Sequence, residues 1–150
     1  MAKFIYRMEN ILQIKYKLEE QAKQNYMEVQ ARLNEATDKL QQLQNRKQRY
    51  EEQYRQLVSE HLDILEIETC KNAILYMDDE IKNQQNVIRS IEKELEQALE
   101  RMNEAMKDRK IHEKLKENQF EIFKQELNLE EMKEIDQLVS YQYNNPNSED

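Results

Sequence analysis

Between Ile74 and Ala105 the apolar side chains fall at Ile74, Met77, Ile81, Ile88, Ile91, Leu95, Ala98, Met102 and Ala105. Gln84 takes the one remaining slot of a strict three-four alternation. The positions between are mostly polar, among them Asp78, Asp79, Lys82, Asn83, Arg89, Glu92 and Lys93. A stripe that returns about every 3.5 residues stays covered only if a second helix coils against it. The pattern therefore predicts one strand of a coiled coil.

A second stripe, read backwards, supplies the partner: Leu57, Tyr54, Tyr50, Lys47, Leu43, Leu40, Ala36, Leu33, Val29 and Tyr26. Folding the chain back with a pivot between Leu65 and Glu66 sets Leu57 against Ile74 and Tyr50 against Ile81. The two polar seam residues, Lys47 and Gln84, then face each other. Further along, Leu40 faces Ile91, Ala36 faces Leu95, Leu33 faces Ala98 and Tyr26 faces Ala105. Small residues oppose large ones, as a core of constant width requires. A slip of one heptad sets Lys47 against Ile91 or Met77, which reads as a poorer match. The expected fold is all-α, a two-helix antiparallel coiled-coil hairpin with a disordered C-terminal tail.

The hairpin is expected over residues 1–141, with helix one over 3–58, a tip over 59–72 and helix two over 73–138. The terminal seam of helix one runs Phe4, Met8, Ile11, Lys15, Leu18, Ala22, Tyr26, ending in two consecutive four-residue steps. Such a stutter locally unwinds a supercoil. Phe4 would meet Leu127, Met8 Phe123 and Ile11 Phe120, while Arg109, Glu113 and Lys116 fill the facing slots nearby. With that much charge in the seam, the helices are expected to splay there. Ile111 and Leu115 lie off the stripe and have no partner in this scheme. Glu19–Lys23, Glu28–Arg32, Glu35–Lys39 and Glu51–Arg55 read as i,i+4 pairs on the outer face. At the tip, Ser59, Asp63 and Thr69 are each able to cap a helix start. Leu62, Ile64, Leu65 and Ile67 form either an extra turn covering the tip or an exposed docking patch. Residues 142–150, with Asn144-Asn145-Pro146-Asn147-Ser148, have no apolar period and read as a disordered tail.

Composition removes whole classes of function. There is no glycine in 150 residues, so no phosphate-cradling loop of the P-loop or dinucleotide type can form. Charged residues make up 36% and the mean hydropathy is −1.11. That is too polar for a globular core of this length, and long paired helices reconcile it with the strong period. A net charge of −8 disfavours nucleic acid and anionic lipid as bulk partners. The charge is uneven: residues 39–55 are basic, and Glu113 to Asp136 is acidic. No apolar run approaches the ~20 residues of a membrane span. The first seven residues turn charged too soon for a secretory signal. A lone cysteine fits a reducing cytosol.

The chain offers little catalytic chemistry. His61 and His112 lack ligand partners at metal-binding spacing, and Cys70 has no histidine motif. The carboxylates Glu126, Glu130, Glu131 and Glu134 read as a solvated helix face, since acid–base work needs a cleft. Lys107, Arg109, Lys110, Lys114 and Lys116 form a basic patch without neighbouring aromatics for base stacking. No enzyme, cofactor, metal or small-molecule substrate is indicated.

Three stretches carry a resemblance to a known family. They are the opening Lys3-Phe-Ile-Tyr-Arg-Met-Glu-Asn-Ile-Leu-Gln-Ile-Lys-Tyr-Lys-Leu-Glu-Glu, the segment Ala73-Ile-Leu-Tyr-Met-Asp-Asp-Glu-Ile-Lys-Asn-Gln, and the closing Glu131-Met-Lys-Glu-Ile-Asp-Gln137. Together they resemble the FliJ family, the coiled-coil component of the bacterial flagellar type III export apparatus, from Lys3 to about Gln137. The resemblance implies a non-enzymatic stalk or adaptor similar to a rotary ATPase shaft. It would couple the hexameric export ATPase to the membrane export gate and bind emptied export chaperones. It would sit in the cytoplasm against the inner face of the membrane at the flagellar base.

On that resemblance the end with both termini enters the ATPase ring, and Phe4, Ile5, Met8, Phe120, Ile122 and Phe123 are the expected contacts. Family positions for the gate fall on Tyr50, Tyr54, Ala73, Met77, Glu80 and Gln84. The two tyrosines match the family. Ala73 stands where phenylalanine is common, and Glu80 where alanine is. Tyr50, Tyr54 and Met77 also belong to the seam, where plain core packing is the competing role. Competing readings of the whole chain are the equivalent stalk of a virulence secretion system, a coiled-coil holdase, and a purely structural coiled coil.

Overall fold

The computed structural model describes residues 2–60 and 63–144, and its elements are two helices, α1 (Glu9–Glu60) and α2 (Ile64–Asn144). They pack against each other antiparallel, as a helical hairpin. The chain divides into two compact units: unit one of Met1–Glu19 with Ala105–Asp150, and unit two of Glu20–Glu104.

The helix limits differ from those expected, each for a local reason. α1 starts at Glu9 rather than Lys3, because residues 2–8 are held by their side chains instead: Tyr6 is buried and Phe4 lies against α2. A turn closed by Glu9 N–H to the Tyr6 carbonyl (3.3 Å) leads into the helix. α2 starts at Ile64 rather than Ala73. Asp63 caps it: its carboxylate accepts from Leu65 N–H at 3.1 Å, one of the donors a helix start leaves open, and its carbonyl accepts the first helical bond, from Ile67 N–H at 3.1 Å. Ser59 and Thr69 instead donate back to carbonyls within their own helices. Ile64 and Leu65 are exposed, whereas Leu62 lies outside the described residues. α2 continues through Gln142 to Asn144, past the expected end at 138, since the first breaker in the sequence is Pro146. The rest of the expected tail lies outside the described residues.

In unit two the inward positions are those of the two stripes. Val29, Ala36, Ile91 and Ala98 form the buried cluster, with Tyr26, Leu33, Ile88 and Leu95 packed on it. The register, however, is one heptad away from the expected one. Lys47 does not face Gln84. Its ammonium pairs with Asp78 at 2.5 Å and Glu51 at 3.7 Å, while the Gln84 amide donates to the Ala36 carbonyl at 2.9 Å. The Cys70 thiol reaches the Tyr50 carbonyl at 3.3 Å, and Arg32 pairs with Glu94 at 2.7 Å instead of with Glu28. These contacts belong to the slip that sets Lys47 against Met77.

Two physical facts decide it. The Asp63 cap starts α2 at Ile64, so Leu65 and Glu66 lie inside the helix and the pivot falls before them. And neither polar seam residue needs the other. The lysine stem lies along the seam while its charge leaves for Asp78; the glutamine uses a second lone pair on a helix carbonyl. Beside them Met77 is 4% exposed and Gln84 7%, so the seam stays closed.

Candidate functional site

Unit one carries most of the chemistry. Its inward positions on α1 are Leu12, Lys15 and Glu19, not Ile11, Lys15 and Leu18. Leu12 is 2% exposed against 40% for Ile11, and Glu19 is 5% exposed against 45% for Leu18. With Glu19 inward, the three-four alternation runs on to Ala22 without the expected stutter. Glu19 therefore leaves the outer face assigned to it. Taking a carboxylate out of water is costly unless it is paired and hydrogen-bonded. Arg109 of α2 supplies this, donating Nε to one carboxylate oxygen at 2.6 Å and Nη2 to the other at 3.2 Å, the bidentate fork.

The same guanidinium donates to Glu113 at 2.9 Å, and the Tyr16 hydroxyl donates to the other Glu113 oxygen. Lys15 meets Asp108 at 2.9 Å and Lys116 meets Glu9 at 2.8 Å. The charged stretch expected to splay is thus cross-braced from both helices. The Glu19 and Glu113 carboxylates hold the Arg109 pKa above its ordinary value. Lysine bonds hold two carboxyls below the usual range, Glu9 through Lys116 and Asp108 through Lys15. The phenol of Tyr16, then the guanidinium of Arg109, does so for Glu113 against the opposing effect of burial. Tyr16 itself is pushed up by the bond to Glu113. The Lys47 ammonium in unit two is raised by Asp78.

Against this braced stretch sits an aromatic cluster. Phe4 meets Phe120 edge-on with ring centroids 5.1 Å apart and Phe123 at 5.5 Å, and Lys124 lies 4.6 Å over the Phe120 ring. Phe4 therefore meets Phe120 and Phe123 rather than Leu127. Of the six residues expected to contact a ring, Phe4, Ile5, Ile122 and Phe123 line one groove together with Lys3 and Arg7. Phe120 lines a neighbouring groove of about 620 Å³ with Phe4, Glu9, Leu12, Tyr16 and Lys116. Met8 is exposed outside both.

The residues expected at the gate divide differently. Tyr50 and Ala73 line one groove of about 360 Å³ in unit two, with Leu57, Leu65, Thr69 and Cys70. Tyr54 and Glu80 are half-buried, while Met77 and Gln84 are buried in the seam. The braces through Glu9, Tyr16, Glu19 and Asp108 were missed as functional candidates. The signal for them was the run of charges at Arg109, Glu113 and Lys116 in slots that a seam needs filled.

Among the described residues, no group of three or more metal-ligating side chains comes together, and no helix is long and apolar enough to cross a membrane. Comparison with curated proteins and with solved structures returned no match. A sequence profile of the family described as "Flagellar FliJ protein" matches residues 4–148. The match spans nearly the whole chain, including both arms of the hairpin and the aromatic cluster, so the chain belongs to the FliJ family and is a component of the flagellar export apparatus.

Proposed function

We propose that the chain is the non-catalytic stalk of the export apparatus, coupling the hexameric export ATPase to the membrane export gate. Unit one enters the ATPase ring, with Phe4, Ile5, Ile122 and Phe123 as the rim and Met8 and Phe120 beside it. The observation that carries this reading is the assembly of that rim on a cross-braced seam. A shaft that transmits force through a ring needs large apolar contacts backed by paired helices that do not part. Unit two meets the gate through the groove of Tyr50 and Ala73, with Tyr54 and Glu80 beside it; Met77 and Gln84 support that surface from the seam. Emptied export chaperones bind the outer faces. In this reading the chain works in the cytoplasm, at the inner face of the membrane.

The test is ATP hydrolysis by the purified export ATPase with the full chain and with a chain lacking Met1 to Met8. Loss of stimulation by the truncated chain, with helicity retained by circular dichroism, is the expected result. Full stimulation by the folded truncation would move the ATPase contact elsewhere. Suppression of aggregation of unrelated proteins, with no effect on hydrolysis, would replace the stalk with a holdase.

A further inference from the structure

Unit one leaves a second heptad stripe uncovered on α2. Ile111, Leu115, Asn118, Ile122, Gln125, Leu129, Met132, Asp136, Val139 and Tyr143 follow an unbroken four-three alternation, and every one of them is exposed. Seven of the ten are apolar. This stripe explains why Ile111 and Leu115 lie off the hairpin seam: they start another one. From Asn128 to Tyr143 every residue of α2 is exposed. An exposed apolar stripe with a strict heptad period is a coiled-coil surface awaiting a helix.

We propose that the occupant is the same stripe of a second copy of this chain, running antiparallel, with the two-fold axis at Leu127. Facing residues are then Ile111 with Tyr143, Leu115 with Val139, Asn118 with Asp136, Ile122 with Met132 and Gln125 with Leu129. The two short polar residues oppose each other, and only Gln125 meets an apolar one. Lys124 comes level with Glu130, and Glu121 with Lys133. Parallel pairing would instead set each charge level with its own copy and Asp136 against Asp136. One heptad slip puts Asp136 against Ile111, and the opposite slip carries Ile111 and Leu115 past Asn144, the last residue of α2. An aspartate side chain is too short to leave a seam as Lys47 does, so this register is held firmly.

The hairpin supports the same side. Ile11 and Leu18 each precede an inward residue of α1, as Leu115 and Ile122 do on α2. In an antiparallel pair those positions share a flank, and both α1 residues are exposed. The stripe is about 50 Å long at ~1.5 Å per residue. Pairing along it buries on the order of 1,500 Å², within the range of stable interfaces. The surface stands independently of the ring reading. Ile122 belongs to both, so dimer and ring-bound states exclude each other.

Sedimentation velocity of the full chain over a concentration series tests this, with Leu115→Lys and Val139→Glu made singly and together. The parent is expected to form a reversible dimer. Each single variant should weaken it about tenfold or more, because a charge enters an apolar seam. The combined variant should regain most of the affinity, since antiparallel pairing sets the two new charges opposite each other twice. All variants replace exposed residues, and circular dichroism checks that the hairpin persists. A parent that stays monomeric, singles that dimerise like the parent, or a combined variant no tighter than the singles would each overturn the proposal.

Discussion

Leu12 and Ile11 are neighbours of similar size, and the hairpin gives them opposite fates, so truncating each to alanine measures the phase of α1 in unit one. Leu12→Ala deletes three carbons from a site that is 2% exposed. At about 0.8 kcal/mol per buried carbon the transfer loss is roughly 2–2.5 kcal/mol. The cavity adds less than in a globular core, because the groove of Tyr16 and Phe120 lies beside Leu12 and water can fill the gap. The total is about 2–3 kcal/mol. Ile11 is 40% exposed and borders the seam, so the same truncation there costs about 1 kcal/mol or less. Urea melts followed by far-ultraviolet circular dichroism read the global effect. Amide exchange over residues 9–19 reads local opening, which matters because unit one can open before the whole chain melts. Equal losses for the two variants, or the larger loss for Ile11→Ala, would refute the inward assignment of Leu12 and with it the burial of Glu19.

Gln84→Leu should stabilise the hairpin by roughly 1 kcal/mol, since the apolar burial gained exceeds one extra bond to a carbonyl already in its helix; a lower denaturation midpoint would contradict this. Glu9, Asp108 and Glu113 have depressed pKa values, so their bonds stabilise unit one fully above the ordinary carboxylate range near 4. That stability is lost as pH falls through the lower folded values, and amide exchange in unit one should quicken on acidification. Tyr16 is shifted the other way, so its support persists below about pH 10 and is lost as pH rises through the higher folded value. Absorbance at alkaline pH should show one tyrosine titrating late, and Glu113→Gln should remove that lag. Cys70 is buried with its thiol on the Tyr50 carbonyl; thiol reagents should label it at the rate of local opening, and urea should accelerate the reaction steeply.

Where the sequence read clearly, every slot spoke with one voice. From Ile74 to Ala105 nearly all inward positions are apolar and their neighbours mostly polar, and all the inward ones are covered or half-covered. The register was not legible, because heptads repeat and the choice between them rests on single side chains. It turned on whether Lys47 needed a polar residue opposite, and a lysine stem long enough to reach Asp78 removed that need. The phase of α1 in unit one failed for a related reason. Ile11 and Leu12 are adjacent apolar residues, and Leu18 looks a better core residue than Glu19 until Arg109 is seen opposite. A paired charge is invisible to a scale that scores residues one at a time. Of the rim in unit one, the aromatic residues were foreseen and do come together. Of the gate set, Met77 and Gln84 lie in the seam because they occupy slots of the same heptad.

The short turn capped by Asp63 has a consequence for how such a gene can change length. Three residues, 61–63, separate the two helices, so a change of length in either arm falls within the paired helices. An insertion in one arm moves every facing pair beyond it, and a number other than seven also rotates the stripe off the partner. Equal insertions at matching heights in both arms restore the pairing. Lengthening of this protein across generations should therefore proceed by coupled whole heptads, or be confined to the stretch of α2 beyond Leu127, where every residue through Tyr143 is exposed.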